Sequence, residues 1–154
     1  SAAVVRPGLL TELAERYGRQ CVVLSVDVRR RTPAQGGDGW EVVTRGGRQR
    51  TGLDALDWIV EGVRLGAGEL LLTSIDRDGT GDGFDCDLLA AAAARVNVPI
   101  IASGGAGRAE DFAAALVAGA TAVLAAGLFH RQEISVSGLK RYLAAQGFPV
   151  RGVS

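Results

Sequence analysis

The sequence predicts an α/β protein built on a parallel sheet, and three observations carry that expectation. Short apolar runs at 21–26 (CVVLSV), 70–72, 99–102 and 121–126 are too brief for helices and read as buried strands, apolar on both faces. A stretch with apolar residues at helical spacing follows each of them. Each run also ends in acids, glycines or small residues, as active-site loops of parallel α/β proteins do. Alternating β and α elements with buried strands imply right-handed crossovers, here one helix followed by four βα units. Pattern alone leaves an open sheet and a barrel segment both standing. An eight-unit barrel takes about 250 residues, so four units in 154 residues would make half of one.

In chain order, residues 1–5 resemble the end of a loop. A first helix is expected over 6–18, with Leu9, Leu10, Leu13, Ala14 and Tyr17 on one face, Pro7 in its first turn and Gly18 as its stop. The strand at 21–26 ends on Asp27. An excursion over 28–52 follows: Arg29, Arg30 and Arg31, a tip with Gly36, Gly37 and Gly39, and an alternating return at 40–44. These features read as a β-hairpin over the sheet end, followed by a basic, glycine-rich loop at 45–50. The next helix spans 53–65, with Leu56, Ile59, Val60 and Val63 inward and Gly66 closing it. Alanine-rich 86–96 suits close packing on a sheet, and 109–118 forms another helix. After the strand at 121–126 comes a short turn with Phe129 and His130, then a last helix capped by Ser137 and stopped at Gly147.

Composition narrows the function classes. Lys plus Arg and Asp plus Glu number 17 each, so net charge gives no reason to expect a nucleic-acid or anionic-membrane partner. Hydrophobic residues at 47% and charged residues at 22% describe a globular chain rather than a disordered one. The two cysteines, Cys21 and Cys86, read as separate reduced thiols, which fits a cytosolic setting. No apolar run has the length of a membrane span. There is no methionine, even at position 1, so the chain is expected to begin by processing or inside a longer protein.

The chemical candidates all lie just past strand ends. Asp27 and Asp78 suit general acid/base work if their environments differ; the competing role for each is to cap a helix or pair with an arginine such as Arg29 or Arg77. Asp76, Asp78 and Asp82, spaced by glycines, invite a calcium reading, but the spacing argues against a metal. Counting from Asp76, glycine falls fourth and Asp87 twelfth, where an EF-hand needs glycine sixth and glutamate twelfth. Ser103, Gly104 and Gly105 ahead of a helix form either a phosphate cradle or a tight strand-to-helix turn. Ala126 and Gly127 at the next strand end favour the cradle. His130, the sole histidine, lacks a triad partner and reads as structural. Trp40 and Trp58 read as packing residues.

Five stretches together carry a family resemblance: LLTSIDRDGTGDGFD, PIIASGGAG, the strand ending in Asp27, TRGGRQRTG and AAGLFH. They resemble the cyclase subunit of imidazole glycerol phosphate synthase, from histidine biosynthesis, across essentially the whole chain. The sister isomerase of that pathway shares the phosphate turn, but TSIDRDG followed by GFD fits the cyclase better. The resemblance implies a (βα)8 TIM barrel of which this chain is the second half, a single domain over 1–154. It also implies a bis-phosphorylated aminoimidazole carboxamide ribonucleotide as substrate, ammonia supplied by a glutaminase partner, and no cofactor. Asp27 matches one acid/base aspartate and Asp78 a further active-site aspartate. Thr73, Ser103, Gly104, Gly105, Ala126 and Gly127 match phosphate-binding positions, with glycine at 127 where many relatives carry serine. The tip at 32–39 is slightly longer than in some relatives. A half-barrel with bare strand edges should pair with the missing half or with a second copy.

Overall fold

The computed structural model describes residues 1–35, 37–130 and 134–152, so Gly36 of the expected tip lies outside the described residues. Four strands, β1 (Val23–Arg30), β4 (Glu69–Ser74), β5 (Ile100–Ser103) and β6 (Ala122–Leu124), run parallel in that spatial order. The hairpin strands β2 (Trp40–Thr44) and β3 (Gln49–Asp54) add antiparallel to β1, giving a six-stranded sheet of order β3-β2-β1-β4-β5-β6. The helices are α1 (Ala2–Val5), α2 (Gly8–Tyr17), α3 (Ala55–Arg64), α4 (Cys86–Ala93), α5 (Ala109–Val117), α6 (Gly127–His130) and α7 (Val136–Ala145).

The expected four βα units are present, with two differences in extent and one in packing. Residues 1–5 form a helical turn rather than a loop end. β1 does not end on Asp27 but runs on through Val28, Arg29 and Arg30, because β2 pairs with just that segment, from Asp27↔Val43 to Arg30↔Trp40. The strands are not buried on both faces. Leu24, Val26, Val28, Leu70, Leu72, Ile100 and Ala102 are sealed beneath the helices, while Val23 and Leu124 on the other face stay about half exposed. Apolar composition on both sides of a strand thus reports a second face that is only partly covered among the described residues: Val43, paired with Asp27, is 3% exposed, and Ser1, Ala3 and Val4 border a cavity beside Asp27. Beyond β2, the edge of β1 at 23–26 pairs with no strand among the described residues, and β6 ends the sheet.

Local chemistry sets the helix ends. Asp54 caps α3 by accepting the N–H groups of Leu56 and Asp57 at 2.9 and 3.1 Å. Trp58 and Ile59 are buried by α3, whereas Val60, expected inward, is 41% exposed. Tyr17 of α2 likewise faces solvent. The last helix is capped by Ser135, whose Oγ accepts the Gly138 N–H at 3.0 Å, and Ser137 falls inside the first turn. Either serine satisfies a cap pattern in sequence; the helix starts two residues earlier than a Ser137 cap would allow.

Aromatic packing supports the loops at the carboxyl ends of the strands. Phe112 on α5 is 1% exposed and meets Phe84 edge to face, with ring centroids 5.6 Å apart. Its other side meets Phe129 of α6 at 6.4 Å. On the hairpin, the carboxylate of buried Glu41 accepts from Arg50 Nη1 and the Gly52 N–H, each at 2.7 Å. Burial alone would raise its pKa. The Gly52 N–H, the Arg50 guanidinium and the charge of Arg31 outweigh burial and hold the carboxyl below the ordinary glutamate range.

Two predictions follow from this packing. Phe112→Ala should cost about 3–5 kcal/mol of unfolding free energy in a urea titration, as for other fully buried rings. A carboxyl whose folded pKa is depressed adds stability above its unfolded pKa and loses it as pH falls through the folded value. Glu41→Gln should therefore cost about 1–2 kcal/mol at neutral pH. The gap to the parent chain should close on acidification below the ordinary glutamate range, as followed by denaturation at stepped pH.

Candidate functional site

Strand register places the chemistry. Asp27 is opposite Thr73, Thr73 opposite Ser103, and Ser103 opposite Leu124. These residues form one row across the four parallel strands near their carboxyl ends, on the largely open face. With neighbouring strands about 4.8 Å apart, Asp27 and Ser103 stand roughly 10 Å from each other. Asp27, Thr73 and Ser103 are each half-buried.

Beyond the row, the loops converge on a pocket of about 120 Å³ lined by Asp78, Gly79, Gly81, Ser103, Gly104, Gly105, Ala106 and the 124–128 segment. The volume suits one small polyatomic anion; drug-sized ligands occupy pockets of about 300–1,000 Å³. Of the residues singled out in the sequence, Asp78, Ser103, Gly104, Gly105, Ala126 and Gly127 meet here. Asp27 and Thr73 do not line the pocket and lie along the strand row beside it. Gly79 and Gly81, which the sequence offers only as spacers, line it too, beside Ala106. Their signal was the glycine content of the loop, which says that backbone approaches closely without saying to what.

Glycine is required at this wall. Gly104 and Gly105 sit at φ 88° and 111°, and a Cβ on Gly105 would collide with the Gly83 carbonyl. The same two loops are joined by the Gly83 N–H donating to the Gly105 carbonyl at 2.8 Å. The N–H groups of Gly104, Gly105 and Ala106 donate to no acceptor among the described residues and remain available to an anion. The amino end of α5 is less available than a bare strand-to-helix turn suggests. Asp111 Oδ2 already accepts the N–H groups of Gly107 and Arg108 at 2.8 and 2.9 Å. The backbone N–H groups without an acceptor among the described residues are therefore those of the loop itself, which faces the start of α6 at Gly127 across the pocket.

The remaining candidates separate. Asp78 is exposed at the pocket rim; its backbone N–H donates to the Ser74 carbonyl at 3.0 Å, and no side-chain hydrogen bond or ion pair holds its carboxylate among the described residues. Asp76 faces the other way, toward Arg29 and Arg30 of β1. Asp85 caps α4 through the Leu88 N–H at 3.1 Å and also accepts Trp40 Nε1–H at 2.9 Å. Trp40 and Trp58 are buried, as packing residues should be. His130 is exposed at the end of α6 rather than packed. The expected basic loop at 45–50 is mostly a tight turn running straight into β3, with Arg45 at φ 55°. Both cysteines are free, and burial together with Asp85, Asp87 and Asp111 pushes the Cys86 thiol up, away from nucleophilic character. No cluster of three or more His, Cys, Asp or Glu suited to a metal occurs among the described residues, and none of their helices is long and apolar enough to cross a membrane.

A family model described as "Histidine biosynthesis protein" matches residues 1–135. The imidazole glycerol phosphate synthase subunit HisF of Mycobacteroides abscessus is 54% identical over 156 residues, covering 98% of this chain and 60% of the relative. The proteins of the same name from Salinispora arenicola and Leifsonia xyli subsp. xyli are each 54% identical over 151 residues, covering 98% of this chain and 59% of theirs. The chain thus spans about 60% of the length of the curated relatives it matches. With that family model extending over most of its length, the chain belongs to the histidine biosynthesis protein family.

Proposed function

We propose that this chain carries the carboxyl-terminal half of a cyclase site of the imidazole glycerol phosphate synthase kind. In this reading ammonia, delivered by a glutaminase partner, attacks a bis-phosphorylated formimino-aminoimidazole carboxamide ribonucleotide. The products are imidazole glycerol phosphate and an aminoimidazole carboxamide ribotide. The supporting observation is the single line of Asp27, Thr73 and Ser103 leading into the glycine-walled pocket.

The division of labour follows from place. The free N–H groups of Gly104, Gly105 and Ala106 hold one phosphate, with the Ser103 hydroxyl and the backbone at Ala126 and Gly127 closing around it. Gly127 offers no hydroxyl, so the backbone carries the contact there. Thr73 sits between that phosphate and Asp27 and can donate its hydroxyl to the substrate. Asp27, half-buried at the centre of the row, moves protons at the reacting end. Asp78 at the pocket rim faces the substrate from the side of the loop after β4. A cytoplasmic setting fits the two free thiols.

Completion of the site needs more strands. The largely open face of the parallel strands and the edge of β1 at 23–26, unpaired among the described residues, call for further βα units, from an amino-terminal half-barrel or from a second copy of this chain. A stable monomer in light scattering, with no tendency to associate, would argue against this. The alternative is a silent phosphate-binding half-barrel, which the separation of Asp27 from the pocket favours. The sister isomerase activity is the weaker reading, on the loop sequence.

Asp27→Asn separates enzyme from binder. An enzyme should lose about 10²- to 10⁴-fold in turnover, the usual worth of a positioned acid or base, with phosphate affinity retained; a binder should show no turnover to lose. Gly105→Ala should weaken inorganic phosphate by roughly 10- to 100-fold in calorimetric titration, as expected for loss of a hydrogen bond to a charged group. Unchanged affinity would move the anion elsewhere.

A further inference from the structure

Asp27 and Asp78 stand on different elements, one inside β1 and the other in the loop between β4 and α4. Something must set one carboxylate against the other. β1 runs past Asp27 through Arg30, and the loop lies along that extension. The Ile75 N–H donates to the Val28 carbonyl at 2.9 Å. At the next residue, Asp76 Oδ2 accepts the Arg30 backbone N–H at 2.7 Å. Its Oδ1 lies 3.2 Å from the buried Nε of Arg29, in ion-pair contact without hydrogen-bond alignment. Asp78 follows two positions later.

The far end of the loop is held by the same rung of the sheet. Arg30 is opposite Trp40 in register, and its guanidinium stacks over that indole at 5.0 Å. Trp40 in turn donates to Asp85, the cap of α4, and Arg30 Nη1 lies 3.5 Å from Asp87. The segment 76–85 is therefore anchored at both ends to one pair of residues, Arg30 and Trp40.

We propose that Asp76 is a positioning residue: by clamping the loop to the backbone beyond Asp27, it sets the place of Asp78 relative to Asp27. A half-exposed ion pair adds little to folding stability. A carboxylate accepting a backbone N–H, in contrast, is short and directional. The kinetic consequence rests on the cyclase reading above; the clamp does not.

Two variants test the clamp. Asp76→Asn keeps an oxygen for the Arg30 N–H but removes the charge facing Arg29, and Asp76→Ala removes both. Amide hydrogen exchange on this chain should quicken over 75–83 in Asp76→Ala and much less in Asp76→Asn, with α4 and α5 protection unchanged. In the turnover-competent assembly, Asp76→Ala should lower kcat by about 10- to 100-fold with KM within about threefold, and Asp76→Asn should recover most of it. Unchanged exchange over 75–83 in Asp76→Ala overturns the clamp, and a loss confined to KM overturns its part in setting Asp78 against Asp27. If the parent chain turns over in no assembly, the cyclase reading fails while the exchange result still decides the clamp.

Discussion

Hydrogen bonding between parallel strands in fixed register is what gives this chain a site. The register aligns Asp27, Thr73 and Ser103, three residues with no sequence proximity, into one row. A slip of one residue on any strand would turn its member of the row into the helix-covered core, because side chains alternate between faces. The core enforces the register in return: Leu24, Val26, Leu70, Leu72, Ile100 and Ala102 are sealed under the helices and cannot be turned outward without losing that burial. Burial of one face is thus what orients the chemistry on the other.

The loops depend on the strands in a second way. Backbone closeness, not side-chain reach, builds the pocket wall: the 103–107 turn is packed on the 79–83 turn so tightly that a Cβ on Gly105 or Gly107 would strike a carbonyl of the facing loop. Beneath that contact, Phe84, Phe112 and Phe129 form a continuous aromatic support. The hairpin, which first reads as a cover over the sheet end, is instead an extension of the sheet that lengthens β1 and ties down the acidic loop through Arg30 and Trp40.

Much of this was legible in the chain because local and global preferences agree. Apolar runs between helical periodicities located the four parallel strands, and Gly104 and Gly105 marked the close turn. What stayed hidden were properties of pairing and coverage. Nothing in CVVLSV says that its second face lies open, and nothing local to Val28–Arg30 says that β2 will pair there and prolong the strand. The cap at Ser135 rather than Ser137 is a choice between two serines that only packing makes. The role of Asp111, claiming the N–H groups that an anion would otherwise use, needs the α5 geometry to be seen. The sequence singles out Asp78 for chemistry and gives Asp76 no role of its own; only the fold sends Asp76 to the strand, where it meets Arg29 and Arg30.

We propose that an open-faced, four-unit sheet holds half of a catalytic site. Ammonia-dependent turnover of the bis-phosphorylated ribonucleotide measures this most directly, with the chain alone and then mixed with a matching amino-terminal half-barrel. Turnover is expected once the open face is closed, by the added half or by a second copy of this chain. Turnover by a chain that stays monomeric, or none in the mixture while phosphate still binds, would contradict it.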